Sequence, residues 1–270
     1  MRIIRFIDEN NNICLGHDYK NDTAISLSGE LFDEVYDSGR ALRVKKLLSP
    51  VQPPAILCIG LNYVEHAGET GLKLPEYPVL FMKNPSAVTN PGDPVIIPRS
   101  SMNVPEIDYE VELAVVIGKP AKNVPAAEAL DYVFGYTIGN DISARKWQMN
   151  AGAGQWVRGK SFDTFCPLGP VLVTKDEIPD PQSLRLTCRL NGTVMQDGNT
   201  SNMIFPVAEL IAYLSEDTTL LPGTVIMTGT PPGVGYVRNP PVFLKPGDVM
   251  ELEINGIGIL TNPVKAWGDA

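Results

Sequence analysis

Short apolar stretches separated by glycine- and proline-containing turns run along most of the chain. Examples are RIIRFI near the start, VELAVVIG in the middle and VMELEI near the end. Runs of this length, rich in Val and Ile and bounded by turn residues, predict β-strands. Asn191-Gly192 lies between two such runs and predicts a tight hairpin. We therefore expect a β-rich α+β protein with few helices.

Four segments have helical patterning. PVAELIAYL is amphipathic, and its first residue suits the start of a helix, which predicts a helix over Pro206–Leu214. A second helix is predicted over 126–134 and a short one from Tyr63 to about Glu69. A further helix is predicted from Asp141 to about Asn150, with Asp141 as its N-cap.

Segment 49–54 has the sequence SPVQPP and divides the pattern in two. We interpret residues 1–50 as a small N-terminal β module and residues 55–270 as the main, catalytic domain. The role of the N-terminal module is not evident from its sequence.

The 270 residues carry a formal net charge of −9, with no basic stripe, which argues against a nucleic-acid partner. The apolar runs are far shorter than the roughly 20 residues that a membrane helix needs. The first residues turn acidic before a signal peptide could develop. The expected location is the cytoplasm, with an organelle matrix as the alternative.

Histidine and cysteine are scarce. With only His17 and His66 present, a histidine-rich zinc site is nearly excluded. The four cysteines contain no C-x-x-C pair and are expected to be free, buried thiols.

Carboxylates are concentrated in EIDYEVEL, at the start of the most apolar run. On a strand, Asp108, Glu110 and Glu112 share one face. Buried together they would repel each other, and Mg²⁺, Mn²⁺ or Ca²⁺ would relieve that repulsion. The alternative is an exposed edge strand whose acidic face is solvated.

Asp141, Arg145 and Gln148 are spaced to share one stripe of the predicted helix. The stripe could simply face solvent. Alternatively, Asp141 lies at a strand-to-helix turn where it could join a metal site, and Arg145 offers a fork for a substrate carboxylate.

Other candidate groups lie in turns or on short helices. His66 and Glu69 are three residues apart, so Glu69 could orient the imidazole as a general base. Lys83 and Lys160 lie in turn-like contexts that most often place a lysine on the surface. Segment TGTPPGVG, which contains Thr230, matches no nucleotide-binding pattern; it either presents donors to a carboxylate or is a plain tight loop.

Six motifs, in this order along the chain, resemble the fumarylacetoacetate hydrolase family. They are GLNYVEHAGE, FMKNPSAV, DYEVELAVVIG, GNDISARKWQ, GKSFDTFCPLGP and TGTPPGVG. The resemblance extends from about residue 55 to the end. The stretches QWVRGKSFDTFCPLGP and NPPVFLKPGD look closest to the branch called fumarylacetoacetate hydrolase domain-containing protein 2.

The resemblance implies a mixed β-roll fold and a homodimer. It implies a divalent metal, usually Mg²⁺, bound by Glu110, Glu112 and Asp141, and removes Asp108 from the ligand set. It further implies Lys160 beside the metal and the His66–Glu69 pair as the base, on a segment that often becomes ordered only when a ligand binds. The substrate-binding residues that it implies are Lys83, Arg145, Gln148 and Thr230.

The expected reaction is metal-dependent chemistry on a small 2-oxo or β-diketo acid through a stabilised enolate. Hydrolysis of a C–C bond in an acylpyruvate-type substrate is the first expectation. Keto–enol tautomerisation or decarboxylation of oxaloacetate at the same site is the alternative. The alternative from a different functional class is a metal-stabilised binding protein that catalyses no reaction. The residues leave the substrate, the native metal and the choice among these reactions open.

Overall fold

The computed structural model describes residues 1–71, 73–151 and 154–269. Strands dominate these residues. In chain order they are β1 (Arg2–Asp8), β2 (Ile13–Lys20), β3 (Thr23–Gly29), β4 (Val35–Leu48), β5 (Ile56–Gly60), β6 (Val79–Lys83), β7 (Val88–Thr89), β8 (Val95–Ile97), β9 (Ile107–Asp108), β10 (Val111–Ile117), β11 (Val133–Asn140), β12 (Ser143–Ala144), β13 (Cys166–Thr174), β14 (Arg185–Leu190), β15 (Thr193–Asn199), β16 (Val225–Met227), β17 (Val249–Ile254) and β18 (Gly258–Ala266). The α-helices are α1 (Val64–Thr70), α2 (Arg145–Met149), α3 (Trp156–Lys160) and α4 (Val207–Ser215).

The largest sheet has the strand order β2-β3-β4-β1-β13-β11-β10-β16-β5-β6, with β7 paired to β13 at one side. Strand β10 is antiparallel to both β11 and β16, whereas β16 and β5 run parallel. All seven residues of β10 are buried. This burial on both faces explains why VELAVVI is almost continuously apolar instead of alternating.

A second sheet, with the order β15-β14-β17-β18-β8, packs against the central strands of the first. Its inward residues include Leu186, Met250, Leu252 and Leu260, all at most 1% exposed. Burying such side chains contributes about 1.5–3 kcal/mol each, which makes this interface a main source of stability. The expectation of a mixed, β-rich α+β fold is confirmed.

The N-terminal strands β1 to β4 pair with one another, and β1 also joins the main sheet. Arg2 and Ile3 lie opposite Val173 and Leu172 of β13, while the rest of β1 pairs with β2 and β4. The first fifty residues thus share a continuous hydrogen-bonded sheet with the rest. Their status as a separate module stays a prediction.

Two local predictions are confirmed. Asn191 and Gly192 both have positive φ angles, 51° and 79°, and form the tight turn between β14 and β15. Helix α4 starts at Val207, directly after Pro206, and buries its apolar stripe. The predicted helix over 126–134 is instead a 3₁₀ helix, Ala126–Tyr132, because Val133 already begins β11.

Two predictions near the acidic segment EIDYEVEL are wrong in detail. The strand is interrupted at Tyr109 and Glu110, because β9 turns away to pair with β12 before β10 begins. Simple alternation therefore does not hold from Asp108 to Glu112. Asp141 is not a helix N-cap, since β12 intervenes and Ala144 is the residue before α2.

The four cysteines are free thiols, as expected; Cys58, Cys166 and Cys188 are buried and Cys14 is partly buried. Among the described residues, none of the helices has the length and apolar character needed to cross a membrane.

Candidate active site

A small cavity of about 50 Å³ lies where α1, α2 and α3 meet the edge of β5 and the start of β10. Seven of the ten predicted site residues line it: His66, Glu110, Glu112, Arg145, Gln148, Lys160 and Thr230. Glu69, Lys83 and Asp141 lie directly behind this lining, as the contacts below show. The structure thus brings together side chains from sequence positions more than 160 residues apart.

Three carboxylates meet at one side of the cavity, with Glu110 and Glu112 in its lining and Asp141 behind them. One oxygen from each of Glu110, Glu112 and Asp141 can be chosen so that all three lie within 4.8 Å of one another, and all three residues are buried. The pairing of β10 with β11 explains the placement, because the Asp141 amide N–H donates to the Glu110 carbonyl at 2.9 Å. An antiparallel ladder therefore joins residues that are 31 positions apart.

Two lysines neutralise part of this cluster. Lys160 Nζ donates to Glu110 Oε2 and Asp141 Oδ2, both at 2.7 Å, and Lys83 Nζ donates to Asp141 Oδ1 at 2.5 Å. Burial alone would lower the pKa of Lys160, but Asp141 and Glu110 raise it above its ordinary value. Lys160 is therefore a fully protonated ammonium at neutral pH.

Lys83 is only 1% exposed, and its ammonium also donates to the Ile142 carbonyl at 3.1 Å. Its position behind Asp141 differs from the expected position beside a substrate. Within the described residues, its ammonium contacts the Asp141 carboxylate and a backbone carbonyl, so its role in the structure is to compensate the charge of Asp141. Its predicted role in substrate binding remains a prediction.

Arg145 begins α2 and uses most of its guanidinium on protein groups. Its Nε donates to Asp108 Oδ2 and its Nη1 to Gln148 Oε1, each at 2.9 Å. Its Nη2 forms ion pairs with two carboxylates, 2.6 Å from Glu110 Oε1 and 2.8 Å from Asp108 Oδ2. Arg145 also lines the cavity, and a guanidinium at such a position suits a bound carboxylate, which arginine holds in a bidentate fork.

We call the following seven side chains the buried charge network: Asp108, Glu110, Glu112, Asp141, Lys83, Lys160 and Arg145. Four carboxylates face three cations, which leaves one negative charge uncompensated. Burial alone would raise the pKa of Glu110, but Lys160 and Arg145 lower it to about 2. Glu110 is therefore ionised at neutral pH.

Glu112 is the unpaired member of the network. Among the described residues it has no cation within ion-pair distance, and its carboxylate accepts one hydrogen bond, from the Gly229 N–H at 2.8 Å. Burial, followed by the charges of Asp141 and Glu110, raises its pKa well above the ordinary value. Three convergent carboxylates with an uncompensated charge are the donor set that a hard divalent cation prefers, so the residues fit the implied metal.

His66 and Glu69 lie on α1 and form the expected pair. His66 Nδ1 is 2.7 Å from Glu69 Oε1, and the His66 side chain is 7% exposed. Glu69 also accepts the Gly233 N–H at 2.9 Å, which fixes its carboxylate from a second side. With Nδ1 engaged, Nε2 is the ring nitrogen left for proton exchange.

The loop after β16 closes another side of the cavity. Gly229 has a φ of 97°, and a Cβ there would lie 2.7 Å from the Asn62 Cβ, so only glycine fits. Thr230 Oγ1 donates to the Val111 carbonyl at 2.9 Å and accepts from Gln196 Nε2 at 2.7 Å. The Thr230 hydroxyl is thus already engaged, and its substrate-binding role remains a prediction.

Several residues of the site were missed from the sequence. The Tyr236 ring packs 4.4 Å from the Arg145 guanidinium, and Phe81 and Trp156 form an edge-to-face aromatic wall with centroids 5.4 Å apart. Gln196 and Asn62 hold the loop after β16. None of these residues stands in a local charge pattern, so only the three-dimensional packing reveals them.

A much larger cleft of about 720 Å³ lies elsewhere on the surface. Arg99 and Arg158 line it together with Trp267, and all three side chains are exposed. It contains none of the predicted site residues. The small cavity, with its buried and mutually constrained charges, is therefore the stronger candidate for chemistry.

Comparison with known proteins agrees with the sequence motifs. The family described as "Fumarylacetoacetate (FAA) hydrolase C-terminal" matches residues 55–265. A Xenopus laevis protein named "Oxaloacetate tautomerase fahd2, mitochondrial" is 52% identical over 219 residues, covering 81% of this chain and 68% of that protein. A Homo sapiens protein named "Oxaloacetate tautomerase FAHD2A, mitochondrial" is 50% identical over 218 residues, covering 80% of this chain and 68% of that protein.

Among solved structures, a 2-hydroxyhepta-2,4-diene-1,7-dioate isomerase from Mycobacterium marinum superimposes with a TM-score of 0.84. It is 37% identical, and the match covers 100% of both chains. The likeness therefore includes the N-terminal strands as well as residues 55–265.

Proposed function

The chain belongs to the fumarylacetoacetate hydrolase family, and from this premise we propose that it is an enzyme that interconverts the keto and enol forms of oxaloacetate. The main supporting observation is that His66, a candidate general base paired with Glu69, lines the same small cavity as a buried charge network with one uncompensated carboxylate. A proton-transfer catalyst needs both a base and a stabiliser for the enolate, and the cavity has candidates for each.

Tautomerisation replaces C–C hydrolysis as the favoured reaction. The two relatives at 52% and 50% identity carry the name oxaloacetate tautomerase, and a structural relative is named an isomerase. No residue of the site distinguishes proton transfer from acylpyruvate hydrolysis or oxaloacetate decarboxylation. The names of the relatives therefore support the choice among reactions, and turnover tests it.

A divalent cation is part of the proposal. Glu110, Glu112 and Asp141 would hold it, and Mg²⁺ is the first choice over Mn²⁺ and Ca²⁺. When bound, it would supply positive charge that stabilises the negative charge developing on the substrate's keto oxygen.

Keto–enol interconversion moves one proton off C3 of oxaloacetate and adds one to the oxygen at C2, and it breaks no bond between carbons. His66 Nε2 is the proposed acceptor of the C3 proton. Glu69, at 2.7 Å from Nδ1, keeps the ring in one orientation and stabilises the imidazolium that forms. Water gives the enolate oxygen its proton and takes up the C3 proton from the imidazolium, which restores the neutral base. In the reverse direction His66 Nε2 returns a proton to C3.

The remaining polar residues bind the substrate and its developing charge. Lys160 is buried and protonated, so its ammonium stabilises the enolate oxygen without reorganisation. Arg145 lines the cavity and would bind a carboxylate of the substrate with its guanidinium, while Gln148 holds one edge of that guanidinium at 2.9 Å. The Phe81–Trp156 wall limits the size of the substrate and its contact with water.

The test is a turnover panel with enol-oxaloacetate, keto-oxaloacetate and an acylpyruvate, each with Mg²⁺ and with chelator. We expect Mg²⁺-dependent acceleration of enol-oxaloacetate decay above the buffer rate, with no pyruvate or CO₂ released. Acylpyruvate cleavage would establish the hydrolase instead, and pyruvate formation from oxaloacetate the decarboxylase. Absence of turnover on all three would support the metal-stabilised binding protein.

Two further expectations accompany this proposal. The family resemblance leads us to propose a homodimer, which sedimentation velocity tests directly. Both named relatives are called mitochondrial, which supports the organelle matrix, the alternative to the expected cytoplasm, and imaging of the tagged natural protein separates the two.

A further inference from the structure

Asp108 is a buried carboxylate to which the proposed reaction assigns no task. It ends β9, two residues before Glu110, and it is 0% exposed. It is not among the residues that line the cavity, and it is not in the group that could hold a metal. A buried charge in such a position needs an explanation, because burying an ion is costly unless partners compensate it.

The partners of Asp108 come from the arginine and from the loop at the mouth of the cavity. Its Oδ2 accepts Arg145 Nε at 2.9 Å and the Tyr236 N–H at 3.0 Å. Its Oδ1 accepts the Gly235 N–H at 2.7 Å and the Tyr109 N–H at 2.9 Å. Both oxygens are therefore saturated by donors, and one of these donors is the proposed substrate-binding arginine.

Gly235 is shaped for this contact. A Cβ at this position would lie 2.6 Å from Asp108 Oδ1 and 1.9 Å from the Val242 carbonyl oxygen. Only a residue without a side chain lets the carboxylate approach the backbone so closely. The loop and the carboxylate thus fit each other.

The same carboxylate fixes two parts of one stack. Asp108 holds the Nε edge of the Arg145 guanidinium, and it also holds the backbone of Tyr236, whose ring lies 4.4 Å from that guanidinium. Gln148 holds Nη1 at 2.9 Å. Two edges and one face of the guanidinium are therefore constrained, and Nη2 is paired with Glu110 Oε1 at 2.6 Å.

We propose that Asp108 is the positioning residue of Arg145: it orients the guanidinium, and the Tyr236 ring stacked on it, to receive a carboxylate of the substrate. The proposal rests on the proposed function for the identity of that substrate, a four-carbon 2-oxo dicarboxylate. Asp108 acts through Arg145 and does not itself contact the reacting atoms.

The variant Asp108→Asn tests this role. The amide keeps the shape of the side chain but replaces one acceptor with an NH₂ donor. Because each oxygen of Asp108 accepts hydrogen bonds, either orientation of the amide faces donors. We expect KM for enol-oxaloacetate to rise about tenfold or more, with kcat changed by less than about threefold, since ground-state binding is what is lost.

A matched control separates positioning from a general loss of stability. Asp248 is also buried and accepts the Asn191 Nδ2 and the Lys245 N–H, each at 2.9 Å, without lining the cavity. Asp248→Asn is expected to lower the unfolding midpoint while leaving KM unchanged. An equal rise of KM in both variants would overturn the proposal.

A double-mutant cycle with Arg145→Gln gives the second readout. If Asp108 acts through Arg145, Asp108→Asn in that background should change KM by less than about twofold. An undiminished effect in the Arg145→Gln background would overturn the proposal. Calorimetric binding of malate, a four-carbon dicarboxylate without a keto group, repeats the cycle without turnover.

A crystal structure of Asp108→Asn makes the test independent of the reaction. The guanidinium of Arg145 is expected to leave its place between Asp108 and Glu110, and an unmoved guanidinium would overturn the proposal.

If Asp108→Asn does not fold, Asp108→Glu keeps the charge but shifts the carboxylate by one methylene. A displaced Arg145 with a raised KM in that variant would support the positioning role. Wild-type kinetics would overturn it, because Asp108 would then only compensate the charge of Arg145. A wild-type protein that is inactive on oxaloacetate would refute the proposed function alone. The role of Asp108 would still be tested by the position of Arg145 in the crystal structures of the wild type and of Asp108→Asn.

Discussion

Two arginine–aspartate pairs with nearly equal distances lie in opposite surroundings. In one, Arg145 contacts Asp108 at 2.9 and 2.8 Å, and the side chains are 8% and 0% exposed. In the other, on the hairpin of β14 and β15, Arg185 contacts Asp197 at 2.8 and 2.6 Å, with 57% and 45% exposure. Both are contacts between a guanidinium and a carboxylate at similar distances, although Arg145 approaches one oxygen of Asp108 and Arg185 both oxygens of Asp197; the largest difference between the pairs is burial.

Water accounts for the difference. The exposed pair exchanges its contacts with solvent and is screened by salt, so it stabilises little. In the buried charge network every charge has lost its hydration, and an unpaired group must neutralise or find a ligand. Glu112 is such a group. The same isolation from water that makes the network costly makes its charges strong enough for binding and catalysis.

The largest expected effect comes from removing the uncompensated charge. Glu112→Gln should abolish stabilisation by Mg²⁺, which for the wild type is about 2.7 kcal/mol when the metal is a hundredfold above its dissociation constant. Activity should fall about a thousandfold, equivalent to about 4 kcal/mol of transition-state stabilisation. Thermal unfolding with Mg²⁺ and with chelator, followed by turnover, measures both.

The control for this variant is Asp197→Asn, which removes a carboxylate from the exposed pair. It should keep the full response to Mg²⁺ and the full activity. In chelator, Glu112→Gln should be at least as stable as the wild type, because an amide needs no counter-charge. A Glu112→Gln protein that still responds to Mg²⁺ would contradict the proposed metal site.

The next effect concerns the base. His66→Asn should lower kcat for oxaloacetate tautomerisation about a hundredfold, because proton transfer loses its acceptor. Its stabilisation by Mg²⁺ should remain, since His66 is not among the proposed ligands. The pair of measurements separates loss of the base from loss of the metal.

The second histidine of the chain provides the matched control. His17 lies on β2, with its ring near Asp18 and Asp37 in the N-terminal strands. His17→Asn should leave turnover within about twofold of the wild type, as expected of a position outside the site. Equal losses in the two variants would point to a folding defect instead of catalysis.

A smaller effect is expected from a buried cation that makes no visible contact with the cavity. Lys83→Met leaves the Asp141 carboxylate with Lys160 as its remaining cation, and breaking a buried pair costs about 3 kcal/mol. Urea unfolding in chelator should show this loss as a lower midpoint. An unchanged midpoint would mean that the charge of Lys83 is not needed behind Asp141, and would favour its predicted role at the substrate.

The residue types of the site could be predicted from the sequence, but the contacts between these residues could not. The apolar run VELAVVI predicted a buried strand, and Asn191-Gly192 predicted a turn, because both depend on neighbouring residues only. Asp108 was correctly placed on a strand, but that strand, β9, is separate from the strand that carries Glu112; Asp141 was placed on a helix and lies between β11 and β12. Their places depend on the pairing of β9 with β12, which no local pattern reveals.

The lysines show the same limit in another form. Turn-like surroundings suggested surface side chains at Lys83 and Lys160, whereas both are at most 1% exposed. Only the family resemblance indicated that they belong to the site, and it could not say which faces of Asp141 they occupy. A charge is placed by its long-range partners, so its burial cannot be derived from the residues beside it.

The smallest expected effect is at the exposed pair itself. Hydrogen bonding to Arg185 lowers the pKa of Asp197, so any stability from the pair is present above the unfolded-state pKa of about 4 and is lost as pH falls through the lower folded-state value. Arg185→Ala should therefore shift the urea midpoint slightly at pH 7. The shift should shrink as pH falls below about 4, the unfolded-state pKa, and should disappear at pH 7 in about 1 M salt. A shift as large as that of Lys83→Met would contradict the comparison, because burial would then not be what separates the two kinds of pair.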